Sequence, residues 1–302
     1  MKACQVQFMA LGDSLKLARP KNIALALPTV VLGAYIVQPQ QWSTIDAGMV
    51  CLNALSVVGF MAAGNILNDL VDFETDKVNH PDRPLPTGQV SINSAKQIVA
   101  AATLVSFFSM LLCSVLYYHQ SSTLPLFSMA IWLTACILMI TYELGPSTKN
   151  QGLKGNISIS VMVGLVILYG ASVLSALNKS PLVFAAAATA AFANLAREIL
   201  KDCQDIEGDA GRNTLPMQVG LEKARMIAYP IALTAMVFAA LPYYLGWGGF
   251  ELGLLIIQIP AILLLITLNN PISKGEDRKA QKQVRLAMLA GLIGFAISVL
   301  VS

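Results

Sequence analysis

Long apolar runs, interrupted by short polar stretches, follow one another along the whole chain. Windows of about 20 mainly apolar residues, the length that crosses a bilayer as a helix, fall near 22–37, 47–67, 96–117, 124–142, 157–177, 181–200, 226–245, 250–268 and 285–301. The pattern predicts an all-α integral membrane protein with about nine transmembrane helices. Pro28, Pro230, Pro242 and Pro260 lie inside these windows or near their ends. Neighbouring helices can satisfy the carbonyls that such prolines free, and kinks are expected there.

Composition narrows the picture. A chain of 302 residues that is 56% hydrophobic and only 12% charged does not read as a water-soluble globule. The charge is placed unevenly. No cleavable leader precedes the first window, so the basic start through Lys21 is expected to stay in the cytoplasm. With that orientation and an odd number of spans, every Lys and Arg except Lys179 lies on the cytoplasmic side, as the positive-inside rule requires. The expectation is a multi-pass protein of the cell membrane, with its N-terminus and its chemistry at the cytoplasmic face. Cys4, Cys51, Cys113, Cys136 and Cys203 form no CxxC pair, and His80 and His119 are the only histidines. A zinc site is not expected. A net charge of +3 without a recognition motif does not suggest nucleic acid, and nothing demands a protein partner.

Two acidic stretches carry the candidate chemistry. The first runs from Asn68 to Asp76 after the second span and sets Asn68, Asp72 and Asp76 at i, i+4 and i+8. On a helix continuing from the span these share a face. The second, after the sixth span, sets Asp202, Asp205 and Asp209 at i, i+3 and i+7. Like charges so spaced destabilise a bare helix by a few tenths of a kcal/mol, on the order of what an opposite pair would contribute. A cation is therefore expected between them. Mg2+ suits, being a hard ion held by a few carboxylates together with substrate phosphates. Metal ligands are then expected at Asn68, Asp72, Asp76, Asp202, Asp205 and Asp209. The substrate should carry a diphosphate, for which Arg83, Lys149, Lys201, Arg212 and Arg197 are the candidate cations. Glu74 and Glu207 point off the acidic faces and read as solvated, Asp69 and Asp82 can be read either way, and Arg197 with Glu198 can equally snorkel or pair. The two clusters suggest a single domain over 1–302 built as two four-helix halves plus a ninth helix.

These residues resemble the UbiA superfamily of intramembrane prenyltransferases. The N-D-x-x-D-x-x-x-D signature is present at 68–76, and Asn79-His80-Pro81-Asp82-Arg83-Pro84-Leu85-Pro86-Thr87-Gly88 is similar to the family's continuation of it. The second signature extends from Arg197-Glu198-Ile199-Leu200-Lys201-Asp202 to Thr214-Leu215-Pro216 and Gly220. Smaller matches are Arg19-Pro20 with Asn22, Tyr142 followed by Lys149, and Gly155-Asn156. The resemblance implies nine helices around a central lipid-accessible cavity with the acidic motifs at its cytoplasmic end. It also implies a Mg2+-dependent transfer of a prenyl group from its diphosphate. Asp72, Asp76, Asp202 and Asp205 would be catalytic, and Asn22, Tyr142 and Lys154 are substrate-side candidates. The wording of both motifs is most similar to the archaeal members that join geranylgeranyl diphosphate to geranylgeranylglyceryl phosphate. Members with aromatic or chlorophyllide acceptors share the framework. Ile206 stands where the 4-hydroxybenzoate enzymes place a second adjacent acid.

Two other classes were weighed. A transporter with acidic ion sites would carry its acids near mid-bilayer, whereas these fall at span ends. A CDP-alcohol phosphotransferase needs a D-G-x-x-A-R stretch that the sequence lacks.

Overall fold

The computed structural model describes residue 12 and residues 15–40, 42–174, 180–206 and 213–302. The helices are α1 (Pro20–Val37), α2 (Thr44–Val71), the short α3 (Phe73–Asn79), α4 (Ile92–Ser121), α5 (Leu126–Glu143) and α6 (Leu153–Ala171). There follow α7 (Pro181–Asp205), the short α8 (Leu215–Val219), α9 (Leu221–Leu245), α10 (Ile259–Ile266), α11 (Asn269–Ser273) and α12 (Asp277–Val301). Among the described residues nine segments are long and apolar enough to cross a membrane, the eighth being the composite Leu252–Ser273. Each overlaps one window of the apolar pattern, and no strand occurs among the described residues. Helices satisfy their own backbone groups, which lipid cannot do. The sides that α4 and α5 leave uncovered carry Leu104, Phe108, Val115, Leu133 and Ile137, side chains suited to lipid.

The prolines are taken up inside helices or at a helix start. Pro28 lies within α1, and Pro230 and Pro242 lie within α9, without ending either helix. Pro260 occupies the first turn of α10, just where the 3-10 segment Leu252–Gln258 gives way to α-helix. There its missing N–H costs nothing.

The described residues divide into two compact units, one within Met1–Pro28 and Thr44–Pro125, the other within Thr29–Ser43 and Leu126–Ser302. This gives two complete spans to the first and six to the second, and so does not follow the two expected four-helix halves. In the first unit α2 and α4 pack closely. The Ser56 hydroxyl hydrogen-bonds with Ser106, and at Gly59 an added Cβ would stand 2.6 Å from the Ala102 carbonyl oxygen. Leu17, Ile66, Leu85, Val90 and Ala95 form a small core beside the first acidic motif.

In the second unit α7 is the most buried span and packs on α6, α9 and α12. Its Ala193, Ala196, Ile199 and Leu200 meet Ala224, Ala228 and Ala232 of α9 and Ala280, Val284 and Ala287 of α12. Small residues let membrane helices approach closely when no hydrophobic effect drives them together. Gly33 and Gly170 do the same reciprocally: an added Cβ would stand 2.0 Å from the Ile167 carbonyl oxygen at the first and 1.9 Å from that of Val30 at the second.

Candidate active site: two acidic motifs at helix ends

In the first unit α2 ends at Val71, and Asp72 (φ −88°, ψ 10°) separates it from α3. The expected continuous helix is thus interrupted. The backbone bonds still step by four residues, from Asp72 N–H to Asn68 at 2.9 Å and from Asp76 N–H to Asp72 at 2.7 Å, so the three side chains stay neighbours. Asn68 Nδ2 donates to Asp72 Oδ2 at 3.1 Å. Leu85 and Val90 anchor the following loop in the small core, and the loop brings Arg83 back to Asp76 at 2.5 Å and to Asp69 at 3.3 Å. Arg19, in a left-handed conformation (φ 54°) just before Pro20, reaches Asp69 at 2.6 Å and Asn68 Oδ1 at 3.4 Å. Asp69, undecided in the sequence, is therefore the buried carboxylate that holds two guanidinium groups. Arg19 is gathered into this cluster, while Asn22 is exposed in the first turn of α1. Glu74 lies off the cluster, paired with Lys77 at 2.8 Å.

In the second unit Asp202 and Asp205 lie on the last turns of α7, and Ile206 caps it. Asp209 and Arg212 fall outside the described residues. Asn156, in the first turns of α6, donates from Nδ2 to Asp202 Oδ2 at 2.9 Å. Arg197 pairs with Glu198 and also donates to Asn194 Oδ1 at 3.3 Å, and Lys201 lies 4.0 Å from the same Glu198. Lys149 and Glu143 form an ion pair at 2.7 Å, with side chains only 4% and 5% exposed. Tyr142 is half-buried beside that glutamate, and Lys154 is exposed in the first turn of α6, 3.4 Å from Gln151 Oε1.

Sequence reasoning therefore found most of the residues each unit gathers and offered the Arg197–Glu198 pairing as one reading, but missed three links that organise them: Arg19 to Asp69, Lys149 to Glu143 and Asn156 to Asp202. Asn156 appeared only within a two-residue match. Glu143 is a single acid without periodic spacing, and its one signal was nearness in sequence to a basic residue.

Carboxylates at the C-terminal ends of helices sit in the negative end of the backbone dipole, which favours a cation beside them. The donors assembled are hard oxygens, and two of the carboxylates are oriented by neutral amides that leave their charge intact. That set fits Mg2+, which takes one or two carboxylates and completes its shell with water and phosphate. Among the described residues no group of three or more His, Cys, Asp or Glu stands together as an all-protein cage. Each unit offers its own candidate oxygen ligands, Asn68, Asp72 and Asp76 in the first and Asp202 and Asp205 in the second.

The family model for UbiA prenyltransferases matches residues 26–299. The chain belongs to the UbiA prenyltransferase family and is an integral membrane prenyltransferase. Among its relatives, digeranylgeranylglyceryl phosphate synthase of Methanopyrus kandleri is 34% identical over 288 residues, covering 95% of this chain and 98% of the relative. The synthase of Methanosarcina mazei is 32% identical over 268 residues, 84% and 83% of the two chains. A solved structure described for digeranylgeranylglyceryl phosphate synthase in membranes shares the fold with a TM-score of 0.76 at 24% identity, over 97% of this chain and 99% of its own. A UbiA homologue from Archaeoglobus fulgidus, solved with GPP and Mg2+, matches with a TM-score of 0.67 at 20% identity, over 94% and 99%.

Proposed function

We propose that this prenyltransferase joins the geranylgeranyl group of geranylgeranyl diphosphate to geranylgeranylglyceryl phosphate, with Mg2+, at the cytoplasmic face of the cell membrane. The observation that carries the reading is the pair of carboxylates at the ends of apolar spans, Asp72 and Asp202, each oriented by an asparagine amide. The names of the full-length relatives support the lipid acceptor.

Bound Mg2+ would supply Lewis-acid stabilisation of the leaving diphosphate. Asn68, Asp72 and Asp76 of the first motif and Asp202, Asp205 and Asp209 of the second would be its ligands. Arg83, Lys149, Lys201, Arg197 and Arg212 are the cations for the remaining phosphate oxygens. Arg83, Lys149, Arg197 and Lys201 already have carboxylate partners, so at these an arriving diphosphate exchanges one anion for another. The apolar helices keep water from the allylic carbon as its C–O bond breaks, which excludes hydrolysis. The acceptor's glycerol hydroxyl forms the new C–O bond and loses its proton to a motif carboxylate or to the departing diphosphate. Asn22, Tyr142 and Lys154 serve on the substrate side.

The test offers purified protein, Mg2+ and geranylgeranyl diphosphate a choice between geranylgeranylglyceryl phosphate and 4-hydroxybenzoate, with products read by mass. The lipid product is expected, EDTA should abolish it, and Asp72→Ala should lower its rate at least 100-fold, about 3 kcal/mol of lost transition-state stabilisation. Prenylation of the aromatic acid alone would overturn the acceptor; full activity after chelation would overturn the metal.

A further inference from the structure

The two acidic motifs differ in the residue that stands four places before the carboxylate each orients. Four residues before Asp72 stands Asn68, whose amide donates to Asp72 Oδ2 at 3.1 Å; four residues before Asp202 stands Glu198, which pairs with Arg197 and Lys201. The second motif's own amide, Gln204, donates to Asp205 Oδ1 at 3.3 Å, and Glu198 offers Asp202 no amide from the position that Asn68 fills in the first. One arrives from another helix: Asn156 of α6 donates to Asp202 Oδ2 at 2.9 Å, 46 residues away in sequence. We propose that Asn156 is the positioning residue of the second acidic motif, doing for Asp202 what Asn68 does for Asp72, and so sets its readiness to take a metal ion. The inference rests on the reading of Asp202 as a metal ligand.

Three features make Asn156 a fixed point. Its side chain is buried, with 7% of the residue exposed. The Ser160 hydroxyl donates to the Asn156 carbonyl at 2.6 Å, and Asn194 of α7 donates from Nδ2 to that hydroxyl at 3.2 Å. Asn194 in turn accepts from Arg197. A ladder of side-chain bonds thus ties the first turns of α6 to the helix that carries Asp202. The preceding residue must be glycine for the chain to pass here. A Cβ on Gly155 would stand 2.6 Å from the Thr148 carbonyl oxygen and 2.9 Å from the Lys149 Cα, so the stretch after α5 lies directly on the start of α6.

The choice of amide matters chemically. A cation in this place would fix Asp202 equally well but cancel the charge that a metal needs, as Arg83 does in part for Asp76. A neutral donor takes one lone pair, locks the rotamer and preserves the charge. Partners of metal ligands of this kind typically change metal affinity by about 10- to 100-fold when lost.

The experiment uses full-length protein in detergent with Mn2+ in place of Mg2+, bound ion being read by loss of the free-ion EPR signal. Turnover is measured in parallel against Mg2+ concentration. Asn156→Ala should weaken Mn2+ binding about 10- to 100-fold and raise the half-saturating Mg2+ by the same factor, with kcat at saturating Mg2+ within a few-fold of wild type. Ser160→Ala, which removes support from the Asn156 backbone carbonyl but leaves the Asn156 amide to reach Asp202, should weaken Mn2+ binding clearly less than Asn156→Ala does. Asn156→Ser keeps a polar group too short to reach Asp202 and should weaken Mn2+ binding as Asn156→Ala does, and it carries the test where the alanine protein fails to fold. Asp202→Asn separates the two claims. If it weakens Mn2+ binding and neither Asn156 variant does, the positioning role is overturned while the metal reading stands. If Asp202→Asn itself binds Mn2+ as wild type, the metal reading falls, and the inference with it.

Discussion

Lys149 and Glu143 lie 2.7 Å apart with almost no exposure on either side, and their burial decides what each substitution does. Removing one partner of a buried pair strands the other charge, at about 3–5 kcal/mol. Glu143→Gln should therefore lower the thermal midpoint clearly, and adding Lys149→Met to it should recover part of the loss. If Lys149 also meets the diphosphate, the double variant recovers stability but keeps a raised KM for geranylgeranyl diphosphate. A double variant with wild-type donor KM would assign Lys149 to structure alone. The spacing of residues could never have shown this pair, because α5 ends at Glu143 and the non-helical stretch 144–147 turns the chain before the 3-10 segment Thr148–Asn150 that carries Lys149. Asp69 teaches a similar lesson. Its partners Arg19 and Arg83 are 50 and 14 residues away, and only the folded loop decides between a solvated acid and a buried one. The acids at helical spacing, Asp72, Asp76, Asp202 and Asp205, were legible because periodicity is a local property.

At the scale of elements the apolar pattern located every span and misjudged their ends. The window 181–200 stops where charge begins, yet α7 continues to Asp205. Ile199, Leu200 and Cys203 remain in the core there, so packing carries the helix past the point where hydropathy falls. This extension is what puts Asp202 and Asp205 on a rigid helix. The break at Asp72 and the 3-10 start of the eighth span were not legible, since both depend on neighbours. In the latter, Gln258 is fully buried and donates to the Gly291 carbonyl of α12 at 3.2 Å, a contact no local rule announces. Close packing of small residues offers the sharpest test at this scale. Gly170→Ala would place a methyl 1.9 Å from the Val30 carbonyl oxygen, with backbone on both sides and no flexible side chain to yield. Overpacking of this kind costs about 1–3 kcal/mol, so the thermal midpoint in detergent should fall by several degrees. Gly253→Ala, where an added Cβ meets nothing within 4 Å, should leave it nearly unchanged. Equal midpoints for the two would show that α1 and α6 can part at little cost.

For the whole molecule the remaining question is sidedness. The first motif and its loop belong to one compact unit and the second motif to the other, so a shared metal requires both to open on one face of the bilayer. The argument for that comes from charge. With the basic start inside, every Lys and Arg but Lys179 falls on the cytoplasmic side, a bias that sets orientation because short basic loops resist translocation. Two exposed residues report directly: Gln89 in the loop after the first motif and Asn213 after the second. In a background without Cys4, Cys51, Cys113, Cys136 and Cys203, single replacements Gln89→Cys and Asn213→Cys should both react with a membrane-impermeant maleimide in inside-out vesicles, and neither in intact cells. The nine candidate spans among the described residues are an odd number, so a tag on the N-terminus should be accessible from the same side as both cysteines and a tag on the C-terminus from the other. Reaction of both cysteines from outside would reverse the orientation and leave the two-motif site standing. Reaction from opposite sides would end the proposal that Asp72 and Asp202 serve one diphosphate, since no carboxylate on one face can reach a metal held on the other across about 30 Å of hydrocarbon.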